Sequence, residues 1–116
     1  MKDIKAYPAI RISGQMEPEL LRELEAGLEE EGVPWQCELG VFGKPEQLAY
    51  DNAQLSILGV GIGGNQATAC LYQRQMPEKE PLFQIHGTNL LEWRRLGINA
   101  ARLVKGKPFE LESHER

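Results

Sequence analysis

One stretch of the chain, residues 55–62 (LSILGVGI), is almost continuously apolar and has polar segments on both sides. The run is too short to cross a bilayer, which takes roughly 20 apolar residues. Its length and composition are typical of a strand that is covered on both faces, as at the centre of an α/β sheet. The sequence therefore predicts a central strand here, with helices packed on both faces of its sheet.

Two amphipathic helices with the same stop signal lie on either side of this strand in the sequence. The first is predicted over residues 18–31, where Pro18 occupies the first turn and leucines recur every three or four residues. The last begins after Asn89, which is followed three residues later by a glutamate at the spacing of a capping box. Each helix is followed by a glycine and, two residues later, by a proline, a combination that ends helices.

The remaining signals complete a small domain. Further strands are predicted at residues 8–13, 35–41, 67–72 and 82–85, and a short helix at residues 45–52. The short link before residues 67–72 favours a hairpin and therefore an antiparallel pair. The order β-α-β-α-β-β-β-α predicts an α/β fold, a three-layer α/β/α single domain with a mixed, mostly parallel sheet of about five strands. The domain is expected to span residues 1–116, with residues 109–116 as a flexible tail.

Charge and composition exclude several classes of function. The 116 residues include 13 lysines and arginines against 17 aspartates and glutamates, a net charge of −4. We therefore expect no nucleic acid as partner, because phosphate backbones are bound through lysine and arginine, and no membrane. The N-terminus has no signal-peptide core, so a cytoplasmic location is expected. Cys37 and Cys70 lack metal-ligand spacing and are interpreted as small buried hydrophobic residues.

Signals for catalysis are weak. The glycine string at residues 59–64 contains a Gly-x-Gly element, but a strand is predicted after it. A dinucleotide loop requires a helix at that point, so the glycines are interpreted as positions of a tight turn and close strand packing. A stand-alone α/β domain that binds a small ligand through these glycines remains an alternative. His86 is interpreted as a turn histidine, and no catalytic residue is predicted.

The most concentrated charge is the run Glu29, Glu30 and Glu31 at the end of the first helix. Carboxylates at this position oppose the helix macrodipole, which favours cations at the C-terminus. A cation from outside the helix, either a metal ion or a basic partner surface, would bind these carboxylates and offset their unfavourable interaction with the macrodipole. A solvated acidic turn is the alternative.

The last helix ends with the opposite charge. Arg102 and Lys105 stand in its final turn, where cations stabilise the macrodipole, and this effect is sufficient to explain them. Asn99 lies in the helix interior, where asparagine has poor propensity. It therefore indicates a hydrogen bond to a packed neighbouring segment or to a partner.

The residues around these two helix ends form motifs. They are residues 27–35 (GLEEEGVPW) and residues 99–109 (NAARLVKGKPF), with PAI at residues 8–10 and PLF at residues 81–83 in matching order. Together they resemble the small subunit of diol and glycerol dehydratase reactivases. The resemblance covers nearly the whole domain, although residues 36–75 match by pattern more than by residue.

The resemblance implies a non-catalytic subunit of an ATP-dependent, chaperone-like reactivase, similar in fold to the dehydratase medium subunit. Such a subunit pairs with a large, actin-like ATPase subunit, which holds the ATP, and has no cofactor of its own. It then swaps with the medium subunit on the large subunit of a coenzyme-B12-dependent dehydratase, and damaged cobalamin is released. A medium-subunit-like component of the dehydratase itself is an alternative, against which the short length of this chain argues.

The resemblance also implies site residues. Glu30 matches the glutamate that contacts a divalent metal, Mg²⁺, where the small subunit meets the large one. The residues expected to bind the partner are Glu29, Glu31, Asn99 and Arg102. Residues 73–80 and 110–116 follow no family motif. The sequence therefore does not decide whether the enzyme to be reactivated is a glycerol-type or a propanediol-type dehydratase. Residence in a bacterial microcompartment also stays open.

Overall fold

A computed structural model describes residues 8–111 as five strands and three helices in the predicted order. The strands are β1 (Ile10–Met16), β2 (Trp35–Leu39), β3 (Val60–Gln66), β4 (Thr68–Gln73) and β5 (Phe83–His86), and the helices are α1 (Pro18–Glu31), α2 (Pro45–Leu55) and α3 (Leu90–Lys105). The N-terminal segment used to predict location and the last five residues of the predicted tail, 112–116, lie outside the described residues.

The strands form one sheet in the order β2-β1-β3-β4-β5. β1 pairs in parallel with β2 and with β3, whereas β3 with β4 and β4 with β5 are antiparallel pairs. β1, β2, β3 and β5 therefore point the same way, and β4 runs against them. The mixed, mostly parallel sheet and the hairpin between the third and fourth strands are both confirmed.

Helices cover both faces of the sheet, as predicted. α1 and α3 pack on one face over large apolar side chains, including Ile12 and Ile62. On the other face, β3 presents Gly61 and Gly63 to α2. A Cβ atom on Gly61 would overlap the backbone nitrogen of Ala53, so α2 lies closer to the sheet than a side chain would permit. Gly61 and Gly63 of the glycine string are therefore explained by helix–strand packing.

The central strand begins five residues later than predicted, and this boundary is a correction. Leu55 is the last residue of α2, and Gly59 adopts a left-handed φ of 74° in the turn before β3. The Ser56 hydroxyl donates a 2.6 Å hydrogen bond to the carbonyl oxygen of Ala9 and holds this turn against the start of β1. The apolar residues at 55 and 57 are exposed, so they do not belong to a buried strand.

Three neighbouring boundaries also differ from the prediction. α2 continues from residue 52 to Leu55, and β1 continues through Gly14 to Met16. The chain turns at Gln66, the last residue of β3, and at Ala67, and Gln66 has a φ of 58°; residues 63–65 are paired with β4 and do not form the turn. Gly14 stays in the strand because it pairs with Gly64, and a Cβ atom there would overlap the Gly64 carbonyl.

α1 and α3 run parallel and cross at two glycines, Gly27 and Gly97, for which the sequence predicted no packing role. A Cβ atom on Gly27 would overlap the carbonyl oxygen of Arg94, and one on Gly97 would overlap the carbonyl oxygen of Leu24. The two backbones are therefore in direct contact. This crossing brings the acidic end of α1 beside the basic end of α3.

Candidate functional site

The ends of α1 and α3 have the caps that the sequence predicts. Gly32 and Gly106 follow the two helices with left-handed φ values of 76° and 70°, and their N–H groups donate to carbonyls of the last turn. Asn89 caps the start of α3, where its Oδ1 accepts from the N–H groups of Leu91 and Glu92. Both C-termini therefore end sharply at one end of the domain.

Glu31 is neutralised within the chain, and its side chain is only 10% exposed. Its carboxylate accepts hydrogen bonds from Lys105 Nζ at 3.1 Å and Arg102 Nε at 3.2 Å, and Lys107 Nζ lies 3.9 Å away. The hydrogen bond from Lys105, reinforced by Arg102, lowers the pKa of Glu31 although burial opposes the shift. The cations of α3 thus compensate an acid that the α1 macrodipole disfavours.

Glu30 forms a weaker ion pair than Glu31 does. Its side chain is 55% exposed, and its Oε1 lies 3.8 Å from Nε of Arg94. Arg94 is shared with Glu23, whose Oε1 lies 3.6 Å from Arg94 Nη1. Exposed ion pairs of this kind contribute little free energy. The Glu30 carboxylate is therefore accessible to a ligand on the solvent side of α1.

Glu29 is exposed and borders a shallow cleft where α1 turns into β2. The cleft has a volume of about 360 Å³ and is lined by Glu29, Gly32, Val33, Pro34 and Trp35. Trp35 is half-buried, and its indole N–H donates to Glu25 Oε2 at 3.2 Å, which orients the ring. The three adjacent glutamates therefore have three different environments.

Asn99 binds the C-terminal segment of its own chain. Its side chain is buried, its Nδ2 donates to the Glu110 carbonyl at 2.9 Å, and its Oδ1 accepts from the Glu110 N–H at 2.6 Å. Phe109 packs edge-to-face on Phe83 with ring centroids 5.1 Å apart. The first residues of the predicted tail are thus held on the domain, and Asn99 makes a packing hydrogen bond. Its role in partner binding stays a prediction.

The remaining candidate residues offer little reactivity. Cys70 is buried and Cys37 half-buried, and burial raises their pKa values to about 12 and about 11. Both thiols are therefore protonated at neutral pH. His86 is exposed at the end of β5, where Nδ1 lies 3.3 Å from the hydroxyl oxygen of Thr68.

Residues 8–111 contain neither a clustered group of metal-ligand side chains nor a helix suited to cross a membrane. No group of three or more histidine, cysteine, aspartate or glutamate side chains in this range is placed to bind a metal ion. No helix in the same range has the length and apolar character needed to cross a membrane.

Several residues at the site were not found from the sequence. Arg94 and Lys107 contact Glu30 and Glu31, but each lies more than 60 positions further along the chain, so no local spacing reveals the pairs. Gly97 could have been found, since glycine inside a helix costs about 1 kcal/mol relative to alanine and usually has a packing reason.

Comparison with known proteins defines the class of the domain. The model of the dehydratase medium subunit family matches residues 7–110, which covers almost all of the described chain. This match includes both helix ends and the sheet between them. The chain is thus a domain of the dehydratase medium subunit family.

Named relatives and solved structures narrow this class. The chain is 37% identical over 91 residues to the diol dehydratase-reactivating factor small subunit of Klebsiella michiganensis, covering 78% of this chain and 73% of the relative. It is 36% identical over 91 residues to the propanediol dehydratase-reactivating factor small subunit of Salmonella typhimurium, covering 78% of each.

Two solved structures are similar over 90% of this chain and 98% of theirs. One is a diol dehydratase-reactivating factor complexed with ADP and Mg²⁺, with a TM-score of 0.83 and 34% identity. The other is a glycerol dehydratase reactivase, with a TM-score of 0.81 and 32% identity. The chain therefore belongs to the family of dehydratase-reactivating factor small subunits, which confirms the resemblance carried by residues 27–35 and 99–109.

Proposed function

We propose that this chain is the non-catalytic small subunit of an ATP-dependent, chaperone-like reactivase for a coenzyme-B12-dependent dehydratase. It pairs with a large, actin-like ATPase subunit, which binds the ATP. It then swaps with the dehydratase medium subunit on the large subunit of the enzyme, so that damaged cobalamin leaves. The observation that carries the proposal is the combination of reactivating-factor relatives with a match to the dehydratase medium subunit family.

The end of the domain that carries α1 and α3 suits a subunit that exchanges partners. The glycine crossing at Gly27 and Gly97 fixes the two backbones, and the pairs between Glu31 and the cations of α3 fix their ends. A surface that is ordered before binding loses little conformational entropy on association. Glu29 and Glu30 are therefore presented to a partner from a rigid support.

Glu30 is proposed to contact a divalent metal, Mg²⁺, where this chain meets the large subunit. Carboxylate oxygens are ligands that Mg²⁺ prefers, and Glu30 is exposed and weakly paired, so the residue fits this role. It offers one carboxylate, and the remaining ligands are assigned to the large subunit. A related reactivating factor was solved as a complex with ADP and Mg²⁺, which supports the choice of metal.

The other predicted partner-binding residues receive a supporting role in this proposal. Arg102 and Glu31 are bonded to each other, so they would present one neutral surface at the end of α1 and α3. Asn99 would act through the segment it holds, since its amide is occupied by the Glu110 backbone. Replacing either residue should disturb the partner surface indirectly.

The test is reactivation of an inactivated dehydratase. The chain is co-produced with its large subunit and mixed with inactivated glycerol-type or propanediol-type dehydratase, ATP, Mg²⁺ and free coenzyme. We expect restored activity that requires both subunits and ATP, with the large subunit alone as the control. A folded two-subunit complex that restores neither enzyme would contradict the proposal.

Two further assignments follow from the proposal. A pull-down that recovers an ATPase subunit supports the reactivase, whereas recovery of dehydratase subunits without ATPase favours a dehydratase component. The proposed location is the cytoplasm, together with the dehydratase. Fractionation of the client enzyme would decide whether both reside in a microcompartment.

A further inference from the structure

The cleft between α1 and β2 combines an apolar floor with an acidic rim. Val33 is buried, Pro34 is exposed, and the half-buried Trp35 ring is held by its hydrogen bond to Glu25. Glu29 stands exposed at the edge of the same 360 Å³ volume. A long side chain with an apolar stem and a charged end fits such a surface, because its stem covers apolar groups while its end stays polar.

The charges around this cleft favour a cation. Glu29 borders it, the Trp35 ring that lines it is hydrogen-bonded to the carboxylate of Glu25, and the C-terminus of α1 adds the negative end of a helix macrodipole. The cations of α3 are hydrogen-bonded to Glu31, which lies two positions and so about 200° around the helix from Glu29. The ion pairs found at this helix end within residues 8–111 involve Glu30 and Glu31 and not Glu29. The acidic rim is thus not neutralised by this part of the chain.

We propose that the cleft receives an arginine side chain of the large subunit, with the Glu29 carboxylate accepting hydrogen bonds from the guanidinium. Arginine suits the site better than lysine, because its planar group stacks on an aromatic ring and binds a carboxylate through two parallel hydrogen bonds. The inference rests on the proposed function, since it takes the partner to be the large reactivase subunit. It is separate from the metal contact proposed for Glu30.

The test compares the dissociation constant of the two-subunit complex for the wild-type chain and for Glu29→Gln, in Mg²⁺ and in EDTA. We expect Glu29→Gln to weaken binding about tenfold in both buffers, because a charge-assisted hydrogen bond is lost whether or not a metal is present. Glu19→Gln, which removes an exposed carboxylate from the first turn of the same helix, is the matched control and should bind like the wild type.

The outcomes separate this inference from the proposed function. A wild-type chain that does not bind the large subunit overturns both. If the wild type binds and Glu29→Gln binds equally well, the arginine assignment for the cleft is overturned but the proposed function is not. The same holds if the loss of affinity in Glu29→Gln disappears in EDTA, because Glu29 would then act through the metal.

A second measurement tests the ligand class on the full chain without the partner. The ¹⁵N-labelled chain is titrated with N-acetyl-arginine amide, with N-acetyl-norleucine amide as the uncharged control. We expect saturable shifts of the Trp35 indole and Gly32 amide signals with the arginine compound, and weaker shifts in Glu29→Gln. Equal responses to the two compounds would overturn the assignment of a cationic ligand.

Discussion

The C-termini of α1 and α3 lie side by side. They have the same type of backbone cap but carry opposite charges. Each is closed by a left-handed glycine, Gly32 or Gly106, but α1 ends in three glutamates and α3 in Arg102 and Lys105. The cations of α3 stabilise the C-terminus of their own helix. They also form ion pairs with Glu31, so the charges of Arg102, Lys105 and Glu31 compensate each other. At the α1 end, Glu29 and Glu30 stay exposed. In the assignment proposed above, α3 therefore supports the surface and α1 provides the binding groups.

The largest expected effect comes from separating the two helix ends. Gly97→Leu places a side chain where the Leu24 carbonyl lies, so the helices must move apart. We expect the free energy of unfolding to fall by about 3 kcal/mol, at the upper end for overpacked cores. Urea denaturation measures this loss. Arg22→Leu, at an exposed position of α1, is the control and should stay within about 0.5 kcal/mol of the wild type.

A smaller effect on stability is expected when α3 no longer binds the C-terminal segment through Asn99. Asn99→Ala removes both hydrogen bonds to the Glu110 backbone. The free energy of unfolding should fall by about 1–2 kcal/mol, and the Glu110 amide should exchange its hydrogen faster. Hydrogen exchange with mass spectrometry measures the second quantity. Asn65→Ala, an exposed substitution, is the control, and unchanged protection of Glu110 in Asn99→Ala would contradict the assignment.

The smallest effect concerns the pH dependence of the pairs at Glu31. Because Lys105 and Arg102 lower the pKa of Glu31 in the folded chain, its stabilising contribution is present above the ordinary value of 4.5 and is lost as pH falls through the folded value. Glu31→Gln lacks this contribution. The stability difference between wild type and Glu31→Gln should therefore narrow on acidification below pH 4.5.

Urea denaturation of both proteins at neutral and at acidic pH measures this difference. Glu23→Gln serves as the control, since it removes an acid from the exposed Arg94 pair on the same helix. A difference between wild type and Glu31→Gln that stays constant, or that widens on acidification, would show that Glu31 is not the stabilised carboxylate.

Elements with strong local end signals were predictable from the sequence. α1 was predicted to the residue, because Pro18 fits its first turn and Gly32 its last. The start of α3 was equally clear from Asn89 and its capping distance. Residues 55–59 were assigned wrongly, because apolar composition does not distinguish a buried strand from a turn in which Leu55 is 65% exposed.

The candidate site was predictable only in part. The residues at both helix ends were identified, since charge and capping are local properties of the sequence. The pair between Glu31 and Arg102 spans 71 positions and depends on the crossing of α1 with α3. No spacing rule shows that these residues form an ion pair, so charge and spacing alone do not distinguish Glu31 from the two glutamates before it.

The most direct test of the account is the metal dependence of binding between this chain and the large subunit. The dissociation constant is measured for the wild type and for Glu30→Gln in Mg²⁺ and in EDTA, with Glu23→Gln as the control because it contacts the same Arg94. If Glu30 contacts the metal, Mg²⁺ tightens wild-type and Glu23→Gln binding but has little effect on Glu30→Gln. Equal tightening of all three by Mg²⁺, or none in the wild type, would contradict it.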